Sequence, residues 1–216
     1  MNCPPKPVVT MTSQTRVVET TRTHDAVAKL RSHGAAMIGR LLRPVRAGQK
    51  HLAWNDSAFR DVPASLALAS SAFGSGGTIP RRYAGRGVGD NISPALSWAG
   101  VPDGTDQLVL IVEDADAPVP RPLVHVLALL PPGLRGLDEG ALNHGETATL
   151  GRNSLRSNEY AGPRPVPGHG PHTYVFQLFA VDRVLSLQPS FTRRDLVAAM
   201  TGAVLVRGRL DGIYER

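Results

Sequence analysis

Three carboxylates and three histidines stand at or near the ends of three apolar runs. The first run, Val109-Leu110-Ile111-Val112, drives into Glu113-Asp114-Ala115-Asp116-Ala117-Pro118. The second, Leu123 to Leu130, carries His125 within it. The third, Tyr174 to Val181, is reached through Gly168-His169-Gly170-Pro171-His172. A carboxylate at the end of a buried strand is costly unless a partner compensates its lost hydration. An imidazole can be that partner: the carboxylate holds one ring nitrogen, and the other faces a pocket. Such an Asp–His pair can bind an anionic oxygen or move a proton. Asp114 and Asp116 lie two apart, so an extended chain directs both to one side. Two like charges there raise at least one pKa unless a cation or donor intervenes. The plainer alternative stays open on spacing alone: Asp116-Ala117-Pro118 as a simple turn, His125 as a satisfied core histidine.

Other chemistries fit less well. Asp114, His125, His169 and His172 could ligate a metal, but no short-spaced signature such as HExxH accompanies them. No G-x-S-x-G elbow surrounds Ser97 or Ser154. The glycine-rich stretches match neither a P-loop nor a dinucleotide fingerprint, and no cofactor is implied. The segment from Tyr160 to His172 is a second feature of interest. Its prolines stiffen it, and its glycines let backbone amides approach a ligand closely. A rigid loop with free amides beside two histidines suits a phosphate-like anion, or serves only as a structural loop.

The elements that must position these residues are mostly strands. Leu66 and Leu68 alternate with small residues, Ser93 to Trp98 reads as a strand, and the runs near 107–113, 123–130 and 173–181 are longer. A last strand follows Ala203. From Leu134 to Pro171 only loop chemistry is evident. Thr192 to Asp195 has capping-box spacing ahead of a helix over 193–200, with Gly202 suited to its end. Many strands, few helices and no βαβ alternation predict a mostly-β body, a sandwich. Before it, residues 1–24 read as disordered, and 25–43 as an amphipathic helix with Val27, Leu30, Gly34, Met37, Ile38, Leu41 and Leu42 on the face packed against the body. Residues 46–63 read as a connector with Trp54 as an anchor. The division expected is a basic extension over 1–63 and a β domain over 64–216.

Of 216 residues, 42% are apolar, enough for one domain with a substantial core. The net charge of +6 lies wholly in the extension: residues 1–64 hold 10 Lys/Arg and 4 Asp/Glu, and the remainder holds 14 of each. No aromatic interleaving accompanies the basic residues, so nucleic acid is not expected as a partner. No run of about 18 apolar residues predicts a transmembrane segment. The N-terminus lacks the apolar core of a signal peptide, and Cys3 is the sole cysteine, which together point to a reducing cytoplasm.

These motifs resemble those of the phosphatidylethanolamine-binding protein family, also called Raf kinase inhibitor-like proteins, in its bacterial branch. The family's D-P-D-A-P followed by a strand histidine is matched by Asp114-Ala115-Asp116-Ala117-Pro118 and His125. Its G-P loop leading to H-R-Y-x-F is matched by Gly162-Pro163 and His172-Thr173-Tyr174-Val175-Phe176. Ser93 to Trp98 and Gly212 to Arg216 also look like family landmarks, and the likeness covers about residues 65–216. Ala115 stands for the motif's proline and Thr173 for its arginine, and Leu123-Val124 replace the tryptophan expected before His125. The resemblance implies a β-sandwich of two antiparallel sheets with a few helices and an anion pocket for phosphate, phosphomonoester or phosphoethanolamine-like groups. Asp114, His125 and His172 line that pocket, with Asp116, Gly162 and Tyr174 in its wall. It implies a non-enzymatic binder of a small phosphate-bearing ligand, with a regulatory protein-binding role and a homodimer as further suggestions. A hydrolase or isomerase using the same Asp/His pair is one alternative. A regulator acting through the N-terminal helix is another.

Overall fold

The computed structural model describes residues 1, 33–143, 145 and 147–216. The disorder expected over 1–24 and the helix start at Asp25 lie outside them. Within them a helix runs over 33–42 (α1). Three short 3-10 turns between Gln49 and Phe59 lead into the strands. These are β1 (Ala67–Ala69), β2 (Gly77–Thr78), β3 (Leu96–Ala99), β4 (Gln107–Asp114) and β5 (Leu123–Leu130). They continue as β6 (Gly136–Leu137), β7 (Thr149–Leu150) and β8 (His172–Val181). Helix α2 (Arg193–Met200) and strand β9 (Val204–Tyr214) close the chain.

The protein is mostly β, as its sequence predicts. A small sheet has the order β1-β3-β6, and a large one the order β2-β9-β8-β4-β5-β7. All pairings are antiparallel except β2 with β9, which is parallel, so the large sheet is mixed. The loop expected over 134–171 contains the two-residue strands β6 and β7, too short to carry a period. Strand β4 is central, with β5 on one side and β8 on the other. Its apolar run has no alternation because both faces are covered.

Each face has its own core. Leu108, Leu110 and Val112 of β4 meet Leu68, Leu96, Trp98 and Leu137 between the two sheets. On the other face, Val109 and Ile111 pack with Leu196 and Met200 of α2 and with Ala53 and Phe59. The span expected to be a connector is therefore partly core. Phe59 is fully buried, tilted against Phe179 at 5.4 Å between ring centroids. Trp54 does serve as an anchor: it lies 6.5 Å from Phe179 and has the Arg207 guanidinium 4.2 Å above its ring. Helix α2 begins with the predicted capping box, in which Thr192 and Asp195 satisfy one another's backbone amides.

Helix α1 departs from expectation. Met37, Ile38 and Leu41, on the face expected to pack, are 64%, 57% and 78% exposed. The side that meets the body is instead the one carrying Ala36 and Gly39. A Cβ on Gly39 would lie 2.0 Å from the Pro167 carbonyl oxygen, and one on Gly168 would lie 2.6 Å from the carbonyl oxygen of Ala36. Close backbone contact, rather than apolar side chains, docks the helix.

Candidate functional site

Asp114 is the last residue of β4, and the strand's period of two decides where it points. Glu113 faces α2, where it pairs with Arg193 and accepts from the Ala53 amide and Gln177. Asp114 therefore faces the inter-sheet side, below Tyr174 and His172 of β8, which are directed to the same face. One Asp114 oxygen accepts from the Asp116 amide at 2.8 Å, and the other meets His172 Nδ1 at 2.8 Å. The carboxylate is fully engaged.

His125 reaches that face through an irregularity. Val112 pairs with Val126, but Glu113 pairs with Val124, so β5 holds one extra residue at this point. Such a bulge re-aims side chains. Val126 packs in the inter-sheet core and Val124 in the α2 core, although regular alternation would place them on one face. His125 between them is thereby turned toward Tyr174, edge to face at 5.0 Å between centroids. Its Nδ1 bonds the Ala161 carbonyl and its own carbonyl accepts from the Ala161 amide. With Nδ1–H donating, Nε2 carries the free lone pair.

Among the described residues, His125 Nε2 is buried without a hydrogen-bond partner, and Tyr174 Oη is buried with the Arg164 backbone and the Asp114 carboxylate near it but neither in hydrogen-bond geometry. Burial is the main influence that lowers the His125 pKa, opposed by Asp114 and the Ala161 carbonyl and reinforced by His172. Burial also raises the Tyr174 pKa, and the neighbouring Asp114 charge adds to it. Neutral imidazole and neutral phenol are thus the resting forms at neutral pH.

A chain of hydrogen bonds leaves the site on its other side. His172 Nε2 meets His169 Nδ1 at 2.7 Å, and His169 Nε2 meets the carbonyls of Leu42 and Val45 at 2.9 and 3.1 Å. Carbonyls only accept, so His169 Nε2 carries a hydrogen. The His169–His172 and His172–Asp114 bonds each need one more.

Asp116 does not point with Asp114. The chain turns at 115–116, and the expectation of an extended pair fails because Asp116 NH folds back onto Asp114. Asp116 instead pairs with Arg46 at 2.9 Å and accepts from the Thr173 amide at 2.8 Å. Burial acts to raise its pKa, but the bonds from Arg46 and Thr173 outweigh that and leave it lowered. Arg46 was hidden in a span that read as a connector. It also donates to the Pro171 carbonyl, while Ala47 and Gly48 donate to the carbonyls of Ala117 and Ala115. Arg43 donates to the Gly168 carbonyl. Residues 33–48 thus form a strap over the Asp turn and the 167–171 loop.

Gly162 lies one residue beyond the His125 partner. Its amide donates to Asn91 Oδ1 at 2.8 Å, and a Cβ there would stand 2.2 Å from the Tyr83 carbonyl oxygen. Asn91, which the sequence did not single out, is buried with φ 57° and also binds the Tyr160 carbonyl. It holds the 160–162 segment whose Ala161 carbonyl orients His125. Among the described residues, no cluster of three or more His, Cys, Asp or Glu has the arrangement of a metal site. No described helix is long and apolar enough to cross a membrane.

Comparison with known proteins covers the same part of the chain. The model of the family described as "Phosphatidylethanolamine-binding protein" matches residues 69–215. A UPF0098 protein of Methanothermobacter thermautotrophicus is 40% identical over 152 residues, 69% of this chain and 98% of the relative. One from Pyrococcus horikoshii is 39% identical over 152 residues, 68% of this chain and 75% of the relative. The crystal structure of a putative phosphatidylethanolamine-binding protein homologue from Chlamydia trachomatis aligns with TM-score 0.64 and 35% identity, over 71% of this chain and 99% of that one. E. coli YbcL, described as a new member of the mammalian family, has the same fold at TM-score 0.66 and 23% identity, over 71% of this chain and 99% of that one. The strap lies before the matched span. Through residues 69–215, the chain belongs to the phosphatidylethanolamine-binding protein family.

Proposed function

We propose that the protein binds a small phosphate-bearing ligand, of the phosphomonoester or phosphoethanolamine type, between His125 and Tyr174. The observation that carries this reading is the pair of orphaned atoms, His125 Nε2 and Tyr174 Oη. A buried polar atom without a partner is unfavourable, and two on rings whose centroids are 5.0 Å apart favour a ligand group that reaches both. A phosphoryl oxygen suits both. The phenol donates to it directly, and the imidazole donates once it has taken up a proton. Asp114 and His172 hold the floor of the site, and Asp116 and Gly162 stiffen its walls.

The same geometry favours binding over turnover. Both Asp114 oxygens and both His172 nitrogens are committed. The Tyr174 hydroxyl, with its raised pKa, is a weak nucleophile. The site is also closed, with Asp114 and His172 only 3% and 1% exposed, so a ligand displaces a cover on its way in. The adjacent cover is the 161–171 loop, which the strap holds down. That arrangement suits occasional exchange of a held ligand. A homodimer and a regulatory partner belong to this reading as suggestions of the family resemblance, and a cytoplasmic location as one of the N-terminus and the single cysteine.

Titration calorimetry with glycerol 3-phosphate and phosphoethanolamine tests it. A saturable binding phase is expected between His125 and Tyr174 that disappears in His125→Ala and is weakened about tenfold in Tyr174→Phe, the effect of one hydrogen bond to a charged group. Binding takes up a proton at neutral pH, so the measured heat changes with the ionisation enthalpy of the buffer. No saturable binding at millimolar ligand, or binding indifferent to both substitutions, overturns the proposal.

A further inference from the structure

The opposite face of the large sheet holds a cationic concavity. A cavity of about 300 Å³ opens beside β5 and the start of α2, at the lower end of volumes that take small ligands. Arg121, Arg152, Arg193 and Arg194 line it, with Ser154 and Thr192, and no carboxylate does. Arg193 is held by the buried Glu113. Among the described residues, the side chains of Arg121, Arg152 and Arg194 make no hydrogen bond and no ion pair. Asp195 feels the charges of Arg194 and Arg152, and its Oδ2 accepts from the Thr192 amide and hydroxyl. With Arg193 paired to Glu113, three further guanidiniums remain, and Asp195 is the acid beside two of them.

The polar groups between them are suited to an oxyanion. Ser154 Oγ accepts from the Val124 amide, which leaves its hydroxyl hydrogen to donate. The first amides of α2, those of Arg193 and Arg194, have no intrahelical acceptor, as is usual for a first turn. Like charges around one concavity repel one another, and an anion of high charge density relieves that repulsion. Arginine's planar fork matches phosphate oxygens two at a time. We infer that this cavity is a second anion site, distinct from the Asp114–His125 pocket, which takes the phosphoryl group of a small phosphate ester. Glu113 and Asp114 point to opposite faces, so the two sites share a sheet but no side chain.

Titration of the full chain at low ionic strength tests the assignment, with inorganic phosphate, glycerol 3-phosphate and citrate as separate probes. The His125→Ala background removes the first site from the reading. Glycerol 3-phosphate is expected to bind that variant saturably, more tightly than inorganic phosphate or citrate, and to weaken as salt is raised. Adding Arg121→Gln or Arg194→Gln is expected to weaken binding at least tenfold while leaving the melting temperature without ligand unchanged or higher. Absence of binding in the His125→Ala background, or binding that ignores both arginine changes, overturns the second site. Equal or tighter binding of citrate overturns the phosphoryl assignment, and tighter binding of inorganic phosphate overturns the ester. Failure of the first site alone appears only in the comparison of the parent chain with His125→Ala.

Discussion

His125 is where the site can be followed through its protonation. Burial holds its pKa below the ordinary histidine value. As pH falls, the unfolded chain therefore takes up this proton before the folded one. The group's contribution to stability is fully present above about pH 6.5 and is lost as pH falls from there through the folded-state pKa. Each tenfold difference in proton affinity is worth about 1.4 kcal/mol. Urea unfolding at pH 7 and pH 5 should show a smaller drop for His125→Gln than for the parent chain; an identical drop would sink the assignment. Glu113 makes a different case. It is fully buried, and its charge is balanced by Arg193, Gln177 and the Ala53 amide. Arg193→Ala leaves that carboxylate unpaired and should cost about 3–5 kcal/mol. Both acids were visible in the sequence as charges closing an apolar run. Which face each took was not, because an uninterrupted apolar strand gives no period from which to count.

At the scale of elements, the decisive device is the bulge at Val124–His125. Leu123 to Leu130 is apolar on both sides of the histidine, so nothing in its residue types marks an inserted position. The family motif implies His125 at the pocket; the backbone irregularity is what turns it toward Tyr174. The strap was less legible still. Its apolar residues suggested a packing face, yet Gly39 and Ala36 make the contact because only small residues let α1 approach Pro167 and Gly168 so closely. Gly39→Ala raises helix propensity by about 1 kcal/mol, yet places a methyl inside the Pro167 carbonyl. The expected outcome is a loosened strap: faster hydrogen exchange at the Gly168 and His169 amides and faster ligand exchange in the first site. Unchanged exchange at both amides would show that the strap does not hold the loop.

At the scale of the molecule, the matched family span and the folded core do not begin together. The match starts at residue 69, while Phe59 and Ala53 are already packed under α2. Phe59→Ala should therefore destabilise the protein by about 3–5 kcal/mol, as a core phenylalanine does, measured by thermal or urea unfolding. A loss below about 1 kcal/mol would mean that the domain is self-sufficient from residue 64. The mostly-β class, the order of the main strands and the capped helix α2 followed from period and punctuation. The short strands β6 and β7 did not, since two residues cannot display a pattern, and the parallel β2–β9 pair joins positions too distant for local signals to register.

Glu113 and Asp114 are separated by a single peptide unit, and that unit belongs to the strand hydrogen-bonded on both edges. Any backbone rotation that reoriented one acid would turn the other and break bonds to β5 and β8 together. The sheet therefore acts as a stiff partition between its two faces. In the two proposed sites, adaptation to ligands of different size falls to the parts outside that lattice, the 161–171 loop and strap on one face and the long arginine side chains on the other.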